Sequence, residues 1–212
     1  SAALTLSLLC GCTASIAPSS QHTVAIVAKS TQTEFWLSVF AGAEAAATEY
    51  NLELTITGPK TEEDYETQNQ MVANAVEAGA EALVFSAIDY ENNAAAIDAA
   101  AQAGVQIVAI DSNVASSAVS TYIGTDDYAA GQMAAQSALD RISGPLKVGI
   151  INYDISSANG QEREQGSVDT FTQSGRAEIV GIVNTLAEAS HAQSDTTALL
   201  EKYPQIKASD RK

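Results

Sequence analysis

From residue 23 onward, short apolar runs alternate with stretches of helical periodicity, and this alternation restricts the fold more than any other feature of the chain. Runs at 24–28 (VAIVA), 52–57 (LELTIT), 82–86 (ALVFS), 106–111 (QIVAID) and 119–123 (VSTYI) read as strands. The aromatic pair Phe35-Trp36 opens the first helix, which keeps Trp36, Val39, Phe40, Ala43, Ala47 and Tyr50 on one face. A second helix is expected over 62–78, with acidic residues in its first turn and Gly79 as its stop signal. A third is expected over 92–103, closed by Gly104. Successive strands lie about thirty residues apart, the size of a βαβ unit. Such a chain forms an α/β fold, a parallel doubly wound sheet with helices on both faces. A hydrophobic content of 46% supplies the core, and 6% aromatics with abundant alanine suits close packing of helix on sheet.

The pattern then restarts. Gly124-Thr125-Asp126-Asp127 reads as a crossing, and the helix after it places Tyr128, Gly131, Ala135, Ala138, Leu139 and Ile142 on one face. A strand at 146–152, a loop at 153–159, a helix at 160–173, a strand at 177–184 and a helix at 191–203 follow. The expected organisation is therefore an N-terminal α/β domain over 23–125 and a second doubly wound domain over 126–212. Ile206-Lys207-Ala208 starts a further apolar run that Ser209-Asp210-Arg211-Lys212 breaks. The second domain is thus expected to be incomplete.

Both cysteines, Cys10 and Cys12, fall in the first dozen residues, so the body of the chain has neither a disulfide nor a cysteine-based metal site. The segment SAALTLSLLCGCTASIAPSSQ is too short to span a bilayer and reads as the apolar region of a secretory signal. Leu9-Cys10-Gly11-Cys12 resembles a bacterial lipobox. On that resemblance residues 1–11 are a partial signal peptide, Cys12 is the lipidated first residue, and 12–22 is a flexible linker from the membrane. The alternative is an ordinary secretory signal that contains cysteines.

Ten Lys/Arg against 26 Asp/Glu leave a formal charge of −16 and a pI near 4.2. That surface repels nucleic acid and anionic lipid, and no basic cluster offsets it. Catalytic signatures are absent as well. The chain has no nucleophile elbow, phosphate loop, dinucleotide fingerprint or histidine zinc spacing. No cofactor or metal is expected, and His22 and His191 stand isolated.

In open α/β sheets ligands bind beyond the carboxyl ends of the strands. The first strand leads into Lys29-Ser30-Thr31-Gln32-Thr33-Glu34, which lacks the glycines a phosphate needs and offers hydroxyls, amides and rings instead. Later strand ends carry Asp89 and Tyr90, then Asp111, Ser112 and Asn113, then Tyr153, Asp154, Asn159, Gln161 and Arg163. Rings cover the C–H face of a sugar, while carboxylates, amides and a guanidinium take its hydroxyls. Of the adjacent Phe35 and Trp36 one is core, and Trp36 fits the buried stripe better. Asp111 caps a turn or meets a ligand. Arg163 pairs with Glu162 or Glu164, or meets a ligand. Asp89 reads as a turn or capping residue, and Glu62-Glu63-Asp64 as the solvated first turn of a helix.

Taken together, the strand–loop–aromatic segment, IVAIDSN at 107–113, YIGTDDYAAGQMAA at 122–135, ANGQEREQG at 158–166 and LLEKYPQIKA at 199–208 resemble the type I periplasmic sugar-binding proteins of ABC transporters. The resemblance implies two domains joined by three crossings that close on a sugar, with no catalysis. It implies a monomeric receptor that passes its sugar to permease subunits from the periplasm or the outer face of the cytoplasmic membrane. The implied ligand contacts are Gln32, Thr33, Phe35, Trp36, Asp111, Asn113, Gln161 and Arg163. Ser112 and Gln161 stand where ribose binders carry arginines. The family's later ligands would lie beyond Lys212, so weak or absent binding is expected of these 212 residues. Two rivals share the architecture. The effector domain of a lactose-repressor-like regulator would need a helix-turn-helix and a basic surface. An α/β enzyme would need one of the missing fingerprints.

Overall fold

The computed structural model describes residues 21–186 and 189–206. Cys10, Cys12, the N-terminal signal-like segment and the last six residues lie outside them. The first unit runs β1 (His22–Val27), α1 (Glu34–Tyr50), β2 (Leu52–Thr57), α2 (Tyr65–Glu77), β3 (Ala82–Phe85), α3 (Ala94–Gln102), β4 (Gln106–Ile110) and β5 (Val119–Ile123). The second runs α4 (Asp127–Arg141), β6 (Leu146–Asn152), α5 (Ala158–Gln173), β7 (Ala177–Asn184) and α6 (Ala189–Lys202).

The first sheet has the order β2-β1-β3-β4-β5, with every pair parallel. The interior strand β1 shows why both faces need helices. Ala25 and Val27 pack with Val72 of α2 and Ile97 of α3, whereas Ile26 and Ala28 pack with Trp36 and Phe40 of α1. Alternate residues of one strand thus feed two cores, the double winding expected of an apolar strand buried on both sides. The second sheet, β6-β7, is also parallel. Leu146, Val148, Ile150 and Ile179 face Ala135, Leu139 and Phe171 of α4 and α5, while Leu199 of α6 covers Gly149 and Gly181 from the other side.

The strand positions match the hydrophobic pattern closely, and differences arise where polar side chains capture the backbone. Helix α2 begins at Tyr65 because Asp64 accepts the Thr67 amide at 2.9 Å as its N-cap. Glu62 therefore lies before the helix, not in its first turn. Helix α5 begins at Ala158, two residues earlier than expected, on the Ser157 cap. Strand β4 stops at Ile110 because Asp111 adopts φ 59°, outside the extended region. Gly79 and Gly104 take φ 85° and 95° just after α2 and α3, the left-handed stop that glycine adopts without a Cβ clash.

Helices α4 and α5 cross at reciprocal glycines. A Cβ on Gly131 would lie 2.2 Å from the Arg163 carbonyl oxygen, and one on Gly166 would lie 2.1 Å from that of Tyr128. Ser167 and Tyr128 fasten the crossing through bonds to the Gly131 carbonyl at 3.1 Å and to Asp169 at 2.9 Å. Gly131→Ala should therefore cost about 1–3 kcal/mol through overpacking. Gly42→Ala on α1, where nothing lies within 4 Å, should gain up to about 1 kcal/mol. Urea unfolding of the two variants checks the contrast, and an equal effect would contradict a tight crossing.

Candidate ligand-binding cleft

Strands β2 and β3 leave β1 in opposite directions across the sheet, so the carboxyl ends of β1 and β3 form its switch point. Gln68 of α2 sets the loops there. Fully buried, it donates to the carbonyls of Ala28 at 3.0 Å and Ser86 at 2.8 Å, and accepts the Ile88 amide at 3.1 Å. One amide side chain thus pins the segments that follow two strands, and residues 29 and 86 are carried into position.

A cleft of about 420 Å³ opens above this point, between the two units. Lys29, Thr33, Phe35, Trp36, Glu62 and Asp111 line it from the first unit. Tyr153, Asn159, Gly160 and Arg163 line it from the second. Lys29 forms its floor with only 1% of its surface exposed. Its ammonium lies 3.3 Å from Asn159 Oδ1, 3.9 Å from Asp111 Oδ2 and 5.2 Å from the centre of the Tyr153 ring. Burial lowers the Lys29 pKa, and the charges of Asp111, Glu62, Asp154 and Asp127 oppose that shift. Burial likewise raises Asp111, opposed by Lys29 and by the Ser86 hydroxyl that donates to it at 3.0 Å. The left-handed backbone of Asp111 is held by its neighbours, for its carbonyl accepts the Tyr122 hydroxyl at 2.8 Å.

Aromatic surface comes from both sides. Phe35 and Trp36 meet edge to face with centroids 5.1 Å apart; Trp36 is 1% exposed and Phe35 is 56% exposed. Trp36 is thus the core member of the pair and Phe35 the one open to the cleft. The Trp36 indole donates to Glu62 Oε1 at 3.1 Å, and the Tyr153 hydroxyl donates to Glu62 Oε2. Burial, then the Glu62 charge, drives the Tyr153 pKa strongly upward.

Thr33, Phe35, Trp36, Asp111 and Arg163 are the sequence candidates that converge on the cleft. Thr33 also caps α1, accepting the Trp36 amide at 3.4 Å. Arg163 pairs with neither adjacent glutamate; its Nε donates to the buried Asp127 at 2.6 Å. The other three candidates have local partners outside the lining residues. Gln32 donates to Thr31 Oγ1 at 3.1 Å, Asn113 accepts the Val114 amide at 2.9 Å, and Gln161 donates to the Ile155 carbonyl at 2.9 Å. Asp89 holds a turn, as its sequence context suggested, by accepting the Glu91 and Asn92 amides.

The sequence reading missed Lys29 and Glu62 as site residues. A lone lysine directly after an apolar strand was a usable signal for the first. No local signal marked the second, because Glu62 sits in an acidic run that elsewhere faces solvent. Tyr153 and Asn159 stood among the strand-end residues but not among the implied contacts. Gly160 also lines the cleft, and a Cβ there would lie 1.6 Å from the Asp154 carbonyl oxygen, so α5 approaches that loop too closely for a side chain.

Among the described residues no group of three or more His, Cys, Asp or Glu is placed to hold a metal, and no helix is long and apolar enough to cross a membrane. The cleft offers three aromatic side chains, an ammonium, a guanidinium, two carboxylates, a hydroxyl and an amide. This donor set suits a neutral polyol whose hydroxyls both give and accept hydrogen bonds.

The periplasmic binding protein domain family matches residues 24–209. The D-ribose/D-allose-binding protein of Pseudomonas aeruginosa is 26% identical over 193 residues, covering 87% of this chain and 60% of that protein. The D-allose-binding periplasmic protein of Escherichia coli is 22% identical over 192 residues, covering 87% and 62%. A carbohydrate transporter solute-binding protein from Agrobacterium radiobacter, solved in complex with D-arabinose, superposes with a TM-score of 0.83 at 25% identity, covering 88% of this chain and 65% of that one. An ABC transporter solute-binding protein from Agrobacterium vitis with bound D-fucose gives 0.82 at 26%, covering 87% and 65%. The chain thus spans less than two thirds of the length of these relatives.

Burial of Lys29 has a pH signature. Between its lowered pKa and the ordinary 10.5, the unfolded chain holds a proton that the folded chain has released. Its contribution to stability therefore rises with pH across that window and is lost as pH falls through the folded value. Urea unfolding of wild type and Lys29→Met from about pH 7 to 10 should show the difference shifting in favour of wild type as pH rises. A difference independent of pH would contradict it.

Proposed function

The chain belongs to the periplasmic binding protein domain family, and on that premise we propose that it is the sugar-capturing part of an ABC importer's solute receptor, without catalysis. The observation that carries this reading is the cleft itself, where the Phe35 face, Lys29 and Asp111 of one unit oppose Tyr153, Asn159 and Arg163 of the other. A neutral aldose between them would bury its C–H face on Phe35 and Tyr153. Its hydroxyls would accept from Lys29, whose ammonium has one amide acceptor at 3.3 Å and a carboxylate at 3.9 Å, and would donate to Asp111. Gln32, Asn113 and Gln161 would reach the ligand only after giving up their local hydrogen bonds. Sugar that touches both units favours the closed arrangement by its differential contacts, which is how such receptors signal occupancy to a permease.

The same reading includes export, a monomeric state and attachment through Cys12, supported by the apolar N-terminal run and the Leu9-Cys10-Gly11-Cys12 pattern. Intact mass of the protein purified from bacterial membranes should carry a diacylglyceryl group on an N-terminal Cys12; an unmodified, cytosolic chain would refute this part. The division at 125/126 is proposed as the boundary across which the units move.

Trp36 is the single tryptophan, so its fluorescence reports on the cleft directly. The sequence led to an expectation of weak or absent binding, but the cleft is lined from both units, so titration with D-ribose, D-allose and D-arabinose should give a weak yet saturable change with at least one of them. Asp111→Ala should weaken that binding about 10- to 100-fold, the worth of a hydrogen bond to a charged group. No saturable change with any aldose up to roughly 10 mM, or equal affinity in the variant, would count against the reading.

A further inference from the structure

Glu62 is the member of the acidic run 62–64 that turns into the cleft, and its two carboxylate oxygens have different partners. Oε1 accepts from Trp36 Nε1 at 3.1 Å, within the first unit. Oε2 accepts from the Tyr153 hydroxyl, 91 residues away and in the second unit. Both donors are neutral and both belong to residues that line the cleft. Hydrogen bonds to an ionised acceptor are roughly twice as strong as neutral ones, and a partly buried carboxylate loses more when either partner is removed. The Tyr153 ring is steadied from beneath by the Lys29 ammonium, which also donates to Asn159.

We propose that Glu62 is a positioning residue that couples the two units: one carboxylate holds the indole wall and the phenol wall in register, so the width of the cleft is set partly by the protein's own cross-link. Asp64, two residues on, serves a different end by capping α2, and Glu63 between them is exposed, which leaves Glu62 as the acid of this run that reaches across. The consequence for ligand rests on the sugar reading above, because register between the walls then decides which ring fits. The coupling itself does not.

The alternative is that Glu62 merely satisfies the indole N–H, with Tyr153 an incidental neighbour. Trp36 separates the two, being the single tryptophan and 1% exposed. Acrylamide quenching of its emission is measured without sugar, in the full chain. Tyr153→Phe, which alters no group bonded to Trp36, should raise the quenching constant by roughly twofold, because the lost bond frees Glu62 and loosens the indole. Glu62→Ala should raise it at least as much. The double variant should match Glu62→Ala alone, since both changes break one connection. Glu62→Gln should stay near wild type, as its amide oxygen still accepts from the indole and its NH2 can donate to the phenol oxygen. Wild-type quenching in Tyr153→Phe alongside raised quenching in Glu62→Ala would overturn the proposal, as would additive effects. Circular dichroism confirms that each variant is folded, and the mild Glu62→Gln change serves if the others unfold: Tyr153→Phe placed on it must then raise its quenching, and no rise overturns the proposal. Because no sugar enters the measurement, its failure leaves the aldose titration standing, and failure of that titration leaves this coupling standing.

Discussion

Lys29 places an ammonium just beyond the end of β1 with almost no exposed surface, and the groups above the sheet answer that desolvation cost. Asp111 supplies the nearest countercharge, but at 3.9 Å it is a loose partner whose own ionisation is opposed by burial. Asn159 supplies an amide oxygen from the second unit. The Tyr153 ring supplies a face that attracts cations. None of these saturates three ammonium donors. An interior ammonium with one amide acceptor and a loose carboxylate, in a cleft lined by rings, is where the proposed sugar would place a hydroxyl.

The sheet makes this arrangement possible. Parallel strands end on one edge, and reversal of strand order at β1 leaves a crevice there that no helix fills. Gln68 fixes the geometry by holding the ends of β1 and β3 with three hydrogen bonds, so the positions of Lys29 and Ser86 follow from one buried amide. Asp111 reaches the crevice only because its backbone turns left-handed directly after β4, a conformation an aspartate tolerates better than most residues. In the second unit, the Gly131–Gly166 crossing seats α5 against α4, and the Arg163–Asp127 pair ties α5 to the first residue of α4.

Much of the fold was legible in the sequence because it depends on periodicity. Strands β2, β5, β6 and β7 begin and end where the sequence pattern does, although β2 alternates half-buried with exposed residues and β5 is largely exposed, so a one-sided apolar pattern was enough to place them. Helix starts were less legible, because Asp64 and Ser157 shift them through side-chain caps that a hydrophobic pattern does not record. The cleft was half legible. Phe35 and Trp36, in the first turn of the helix that follows β1, and Asp111, directly after β4, follow from topology. Glu62 depends on two partners far away in sequence, and Arg163 pairs with a carboxylate 36 residues distant, not with its neighbours. Gln32, Asn113 and Gln161 have suitable chemistry and position, yet each finds a closer backbone or side-chain partner. Local composition cannot foresee that competition.

The chain belongs to the periplasmic binding protein domain family, and its cleft lies at the switch point of the first sheet. The central claim is that one sugar lies between the units against Phe35 and Tyr153, with Lys29 and Asp111 on its hydroxyls. A crystal structure grown with D-ribose or D-allose tests it most directly. The account predicts sugar density within hydrogen-bonding distance of the Lys29 ammonium and the Asp111 carboxylate, bounded by residues of both units. Sugar bound elsewhere, or contacting one unit alone with Lys29 still held by Asn159, would contradict it.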